Sequence, residues 1–181
     1  MITTSLDVPT PADFSFAATV YSHGWRNLPP FRYDEDCHVL SMPQRLDSGV
    51  AVVKMRASDD HKLTVSVESE APFARDEKRT LSQMVRISLG LDQNIAEFQR
   101  FIAGIPGYEW MVTYNLGRLL ASPSVWEDLA KTLATTNTTW EGTITMCERL
   151  VSLGDQGPEV SCFPTPEQIA AVEPGQLAKT T

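Results

Sequence analysis

Residues 62–89 read KLTVSVESEAPFARDEKRTLSQMVRISL, and the hydrophobic period changes inside this stretch. From Lys62 to Glu68 polar and apolar residues alternate, which puts Leu63, Val65 and Val67 on one face of a strand. Beyond Pro72 the apolar residues Leu81, Met84, Val85, Ile87 and Leu89 recur at helical spacing. Strands therefore lie on one side of Pro72 and helices on the other.

Working toward the N-terminus, Phe14-Ser-Phe-Ala-Ala-Thr-Val-Tyr21, His38-Val-Leu-Ser-Met42 and Val50-Ala-Val-Val-Lys-Met55 also read as extended, with turn signals at Asp47-Ser-Gly49 and Ser58-Asp-Asp60. They predict an antiparallel sheet of about five strands between Phe14 and Val67, one face buried. Toward the C-terminus, Asp92 is the expected cap of a helix carrying Ile95, Phe98 and Ile102, ended by Gly104-Ile-Pro-Gly107. Ser122 is read as the N-cap of the next, with Pro123 in its first turn and Val125, Trp126, Leu129 and Leu133 at helical spacing; Trp126 is assigned to the core. After the polar run Thr135–Thr139, a capping box of Thr138 and Glu141 opens a helix that turns Ile144, Cys147, Leu150 and Val151 inward until Gly154. Thr165-Pro-Glu-Gln168 starts a last one. The order predicts an α+β protein with a sheet unit over 1–75 and a helical unit over 76–181.

The 181 residues are 42% hydrophobic and 21% charged, a globular composition that excludes disordered and fibrous classes. Fifteen Lys and Arg against 23 Asp and Glu give a net charge of -8, which argues against indiscriminate polyanion binding. The opening Met1-Ile-Thr-Thr-Ser-Leu-Asp7 lacks a basic start and an apolar core, and no apolar run is long enough for a span, so neither a signal peptide nor a membrane is expected. Cys37, Cys147 and Cys162 are an odd set without metal or redox spacing, and are read as reduced in a cytoplasmic protein. Cys37 and His38 would point to opposite faces of a strand, which leaves no zinc site, and no phosphate-loop or cofactor motif is present.

Asp59-Asp60 reads as a turn, and Glu127-Asp128 as acidic residues complementing the first turn of a helix. Lys131 is read as a lone lysine without the partner that Schiff-base chemistry needs. Asn137, taken alone, terminates one helix or caps the next.

The stretch Gly117–Val151, with its Pro-x-x-Trp-Glu start, its Thr-Asn turn and its Met-Cys-Glu-Arg-Leu helix, resembles the helix-hairpin-helix DNA glycosylases of the 8-oxoguanine and 3-methyladenine branch. Phe163-Pro-Thr-Pro-Glu167 continues the resemblance, and Phe31-Arg32-Tyr33 is similar to the Phe-Arg-Trp element of that branch's N-terminal sheet, which is itself like half of a TATA-binding protein. The resemblance implies duplex DNA carrying a damaged base as partner. It implies that Asn137 enters the minor groove and contacts the base orphaned by flipping, with Thr138 and Thr139 beside it at the DNA. Leu28 and Pro29 match the stretch lining the base pocket; Leu-Pro-Pro replaces a small residue there, so alkylated bases are expected at least as much as 8-oxoguanine. The hairpin, its Lys, the catalytic Asp and most phosphate contacts would follow the position of Thr181. The chain alone is therefore expected to be inactive, with no cofactor and with a complementing C-terminal segment as a second partner. A non-catalytic module that binds damaged DNA or protein is the alternative. On the first reading, a helical domain cut midway, the helices between Pro123 and Val172 are expected to expose a contiguous apolar face where the missing half would pack.

Overall fold

The computed structural model describes residues 1–58, 62–157 and 160–180. Five antiparallel strands, β1 (Ile2–Leu6), β2 (Arg32–Asp34), β3 (Val39–Leu46), β4 (Gly49–Ser58) and β5 (Lys62–Ser69), form one sheet in the order β1-β5-β4-β3-β2. The register aligns Met42 with Val53 and Val53 with Val67, and Leu40 with Met55 and Met55 with Val65. All six are buried. The period of two thus gives the sheet one core face, and each of these side chains contributes roughly 1.5–3 kcal/mol by leaving water.

Helix α2 (Arg75–Ser88) lays Leu81, Val85 and the following Leu89 on that face, so the first helix after residue 76 shares its core with the sheet. Glu77 fixes its start. One carboxylate oxygen accepts from Ala74 N at 2.8 Å and the other from Ser48 N at 2.9 Å, so the β3–β4 turn at Asp47-Ser48 is tied to the helix, and these donors hold the Glu77 carboxyl below its usual range. The remaining helices are α3 (Ala96–Ala103), α4 (Glu109–Thr113), α5 (Val125–Ala134), α6 (Trp140–Val151), α7 (Pro166–Ala170) and α8 (Pro174–Thr180). The buried Arg118 joins the two ends of the first half, donating to the carbonyls of Gly90, Gln93 and Asp13 and to the Asp13 carboxylate.

Several local expectations need correction. Phe14–Tyr21 is not a strand: Ser15 accepts from Ala18 N at 3.3 Å and caps the short helix α1 (Phe16–Val20). The fifth strand is β1, upstream of Phe14, an edge strand whose residues are largely exposed. Asp92 caps nothing because Arg86 holds it; Asn94 Oδ1 instead accepts from Ala96 N at 3.0 Å at the start of α3. Ser124, not Ser122, caps α5, and Thr139, not Thr138, caps α6. Cys37 and His38 sit in the β2–β3 turn, His38 with φ 52°, and not on a strand. Trp126 is half-buried, its Nε1 donating to Pro164 O at 2.8 Å. Asp59 and Asp60 lie outside the described residues.

Candidate nucleic-acid interface

The α5–α6 turn carries the three residues singled out for DNA. Helix α5 ends at Ala134 because Thr135 and Thr136 turn their hydroxyls back onto the carbonyls of Thr132 and Leu133, each at 2.7 Å. Asn137 then takes φ 55°, a left-handed conformation that Asn tolerates better than other residues bearing a Cβ. Thr139 restarts the chain as a helix, its Oγ1 accepting from Gly142 N at 3.1 Å. Asn137, Thr138 and Thr139 are all exposed, and no hydrogen bond restrains the Asn137 amide. Backbone geometry thus accounts for an Asn here, and leaves its side chain pointing at solvent with both a donor and an acceptor.

Behind the turn, the Trp140 ring lies against Gly24, where a Cβ would collide with the indole. That contact fastens the turn to the segment leading to Leu28 and Pro29. Their side chains fare differently. Leu28 is wholly buried and offers a ligand no surface. Pro29, joined to Pro30 by a cis bond, lines a groove of about 600 Å³ together with Arg32, Glu148 and Gln156.

Beneath the turn, α5 holds a centre that the sequence reading missed. Lys131 is fully buried, with Nζ 2.5 Å from Glu127 Oε1 and 3.2 Å from Ser122 Oγ, and it lies over the rings of Phe31 at 4.7 Å and Phe163 at 5.8 Å. The lysine read as lone is therefore paired, and the glutamate read as a surface dipole partner is inside. Burial pushes the Glu127 carboxyl up, and Lys131 and Ser122 pull it back. Asp128, the next residue, accepts from Trp25 Nε1 at 2.7 Å and Ser122 N at 2.8 Å, which binds α5, like α6 through Trp140, to the Gly24 loop. The Glu-x-x-x-Lys spacing on one helix face was the available signal. With both charges engaged and shielded, this centre is scaffold: it sets the position of α5, and hence of Asn137.

Nucleophile chemistry finds little support. Burial raises the thiol pKa of Cys147, and pushes that of Cys162 up to about 11, so neither is a thiolate near neutrality. Among the described residues no group of three His, Cys, Asp or Glu side chains could hold a metal, and no helix is long and apolar enough to cross a membrane.

On the other flank of α5 an apolar surface is uncovered. Val125, Leu129 and Leu133 are 85%, 62% and 70% exposed, and the latter two border a hollow of about 370 Å³ lined also by Met146, Leu150 and Ile169.

No family profile and no curated protein matches the sequence. Solved structures do match its fold. A 3-methyladenine DNA glycosylase from Archaeoglobus fulgidus superposes with a TM-score of 0.70 at 21% identity, covering 99% of this chain and 61% of its own. MBOgg1 in complex with a low-affinity DNA ligand gives 0.66 at 16%, covering 99% and 60%. The apo 8-oxoguanine glycosylase/lyase of Clostridium acetobutylicum gives 0.66 at 10%, covering 100% and 61%. The chain has the α+β fold of these glycosylases over about three-fifths of their length.

Proposed function

We propose that the chain is the N-terminal portion of a helix-hairpin-helix DNA glycosylase of base excision repair, which recognises an oxidised or alkylated base in duplex DNA. The observation that carries the reading is Asn137: within a fold shared with 3-methyladenine and 8-oxoguanine glycosylases, it stands on an exposed turn with a free amide, at the position where the sequence resemblance expects a contact to the orphaned base. An amide that donates and accepts can replace part of a lost base pair. The pocket reading of Pro29 is kept, whereas the buried Leu28 would act through the backbone of its loop.

The uncovered face of Val125, Leu129 and Leu133 supports the second part of the proposal. About two-fifths of each neighbour's chain lies outside the match, and we assign this face to a further helical segment that would also bring the hydrolytic carboxylate and the phosphate contacts. The three free cysteines support a cytoplasmic protein.

The test uses duplexes in which one base lies opposite an abasic analogue. Binding by the chain is expected to be weak and steeply salt-dependent, and to fall about tenfold on losing the amide contact in either Asn137→Ala or Asn137→Gly. Affinity unchanged in both variants, or clear release of damaged bases by the chain alone, would overturn the assignment.

A further inference from the structure

A second cleft, of about 350 Å³, opens between β3, α2, the start of α5 and the segment 162–166. Its volume is at the lower end of small-molecule sites. What marks it out is Gln44. The alternation that buries Leu40 and Met42 on the core face of β3 places the next residue of that face at 44, and the sequence supplies an amide there. Gln44 is 6% exposed, yet its side chain makes no hydrogen bond to any described residue, and its polar atoms are not sealed in but open into the cleft. The amide is thus solvated only through the cleft, and at this core position an apolar residue would serve packing better. The cross-strand neighbour, Ala51, is small and buried, so the register leaves room beside the amide and does not fill it.

The rest of the cleft suits a flat heterocycle. Trp126, fixed by its bond to Pro164 O, and Met84 supply apolar and aromatic walls. Glu127 lines the cleft with its carboxylate engaged by Lys131, and Arg45 adds a guanidinium whose Nε and one Nη are held by Asp155 and Gln168. An amide that presents a donor and an acceptor side by side matches the N6/N7 edge of adenine, and a base between aromatic and apolar side chains gains stacking as well. We propose that this cleft is a binding site for a purine base, with adenine preferred, read by the Gln44 amide and packed against Trp126. The source is either a free purine or an extrahelical adenine in a strand, since both present the same edge. The proposal is independent of the glycosylase reading, because the cleft lies at the opposite end of α5 from Asn137.

Adenine, adenosine, a short single-stranded oligodeoxyadenylate and uracil are titrated into the 181-residue chain, followed by calorimetry and tryptophan fluorescence. Saturable adenine binding is expected, weaker for uracil, and reduced about tenfold by Gln44→Leu, a near-isosteric change on the core face. Gln44→Glu keeps the shape and a polar group but loses the donor, and is expected to weaken adenine to a similar degree. Cys37→Ser, in the exposed β2–β3 turn, is expected to leave adenine affinity alone. An oligonucleotide that competes with adenine identifies a strand as the source, and one that does not identifies the free purine. Absence of saturable adenine binding, or equal affinity in the wild type and both Gln44 variants at unchanged near-UV circular dichroism, would overturn the proposal and leave the cleft a packing gap.

Discussion

The Lys131 ammonium and the Glu127 carboxylate meet at 2.5 Å one helical turn apart, and neither has meaningful contact with solvent. Their attraction offsets a desolvation cost that neither would bear alone. Removing one partner strands the other. Lys131→Met is therefore expected to cost about 3–5 kcal/mol in urea unfolding, and the double variant Lys131→Met with Glu127→Leu to recover most of it. Additive losses in the double-mutant cycle would mean that the two groups do not depend on each other.

That pair also marks a boundary of what the sequence discloses. The sheet and the long helices were legible because Leu63, Val65 and Val67, and later Leu81, Val85 and Leu89, repeat one period over enough residues to exclude the other. The helix Phe16–Val20 was not, since in five residues the pair Phe14 and Phe16 fits alternation as well as a turn. Strand β1 was hidden for another reason: Ile2-Thr-Thr-Ser-Leu6 is an edge strand, mostly exposed, with little apolar signal to read. In the candidate site, Asn137 followed from its turn and from resemblance, whereas the burial of Lys131 and Leu28 depends on contacts with Phe31, Phe163 and the sheet core that no local pattern encodes.

Asn137 carries a backbone role that can be separated from any contact with DNA. At φ 55° a Cβ-bearing residue without a local polar compensation is strained. Asn137→Ala is expected to lose about 1 kcal/mol of stability, while Asn137→Gly stays within about 0.5 kcal/mol. Equal thermal midpoints for the two would show that the turn relaxes at no cost.

Acid is expected to loosen the fold in part through Asp155. Arg45, then Gln168, hold its carboxyl below the usual range, joining the 154–156 segment to β3 and α7. For a carboxyl depressed in the folded state, the stabilisation is complete above the unfolded value of about 4 and disappears as pH falls through the lower folded value. Asp155→Asn should therefore flatten the acid limb of a stability–pH curve and leave its neutral plateau lower. An unchanged acid limb would place the titration elsewhere, with Glu77 the next group to replace because its carboxyl is depressed in the same sense.

Thiol labelling should distinguish the three cysteines. Cys37 is exposed in the β2–β3 turn, whereas Cys147 and Cys162 are buried with raised thiol pKa values. Iodoacetamide near pH 7.5 is expected to modify Cys37 in the native protein and the other two only after unfolding. Rapid native labelling of Cys147 or Cys162 would reveal opening of the α5–α6 region.

The apolar face makes the last prediction. Val125, Leu129 and Leu133 are exposed on α5, and Leu129 and Leu133 border a hollow lined by Met146, Leu150 and Ile169, so water there contacts a hydrocarbon surface. Such a surface associates with whatever apolar partner is at hand, and in a solution of this chain alone the partner is another copy. Light scattering after gel filtration should therefore show concentration-dependent self-association. Placing charge on the face opposes burial without touching the core, since Leu129 and Leu133 already face solvent. Leu129→Glu with Leu133→Glu is expected to return the chain to a monomer and change its unfolding free energy by no more than about 1 kcal/mol. The same double variant should abolish capture of a C-terminal glycosylase segment added in trans. A wild-type chain that stays monomeric at high concentration, or one whose stability collapses with the two glutamates, would mean that this face is closed in solution by a packing of α7 and α8 tighter than the one described.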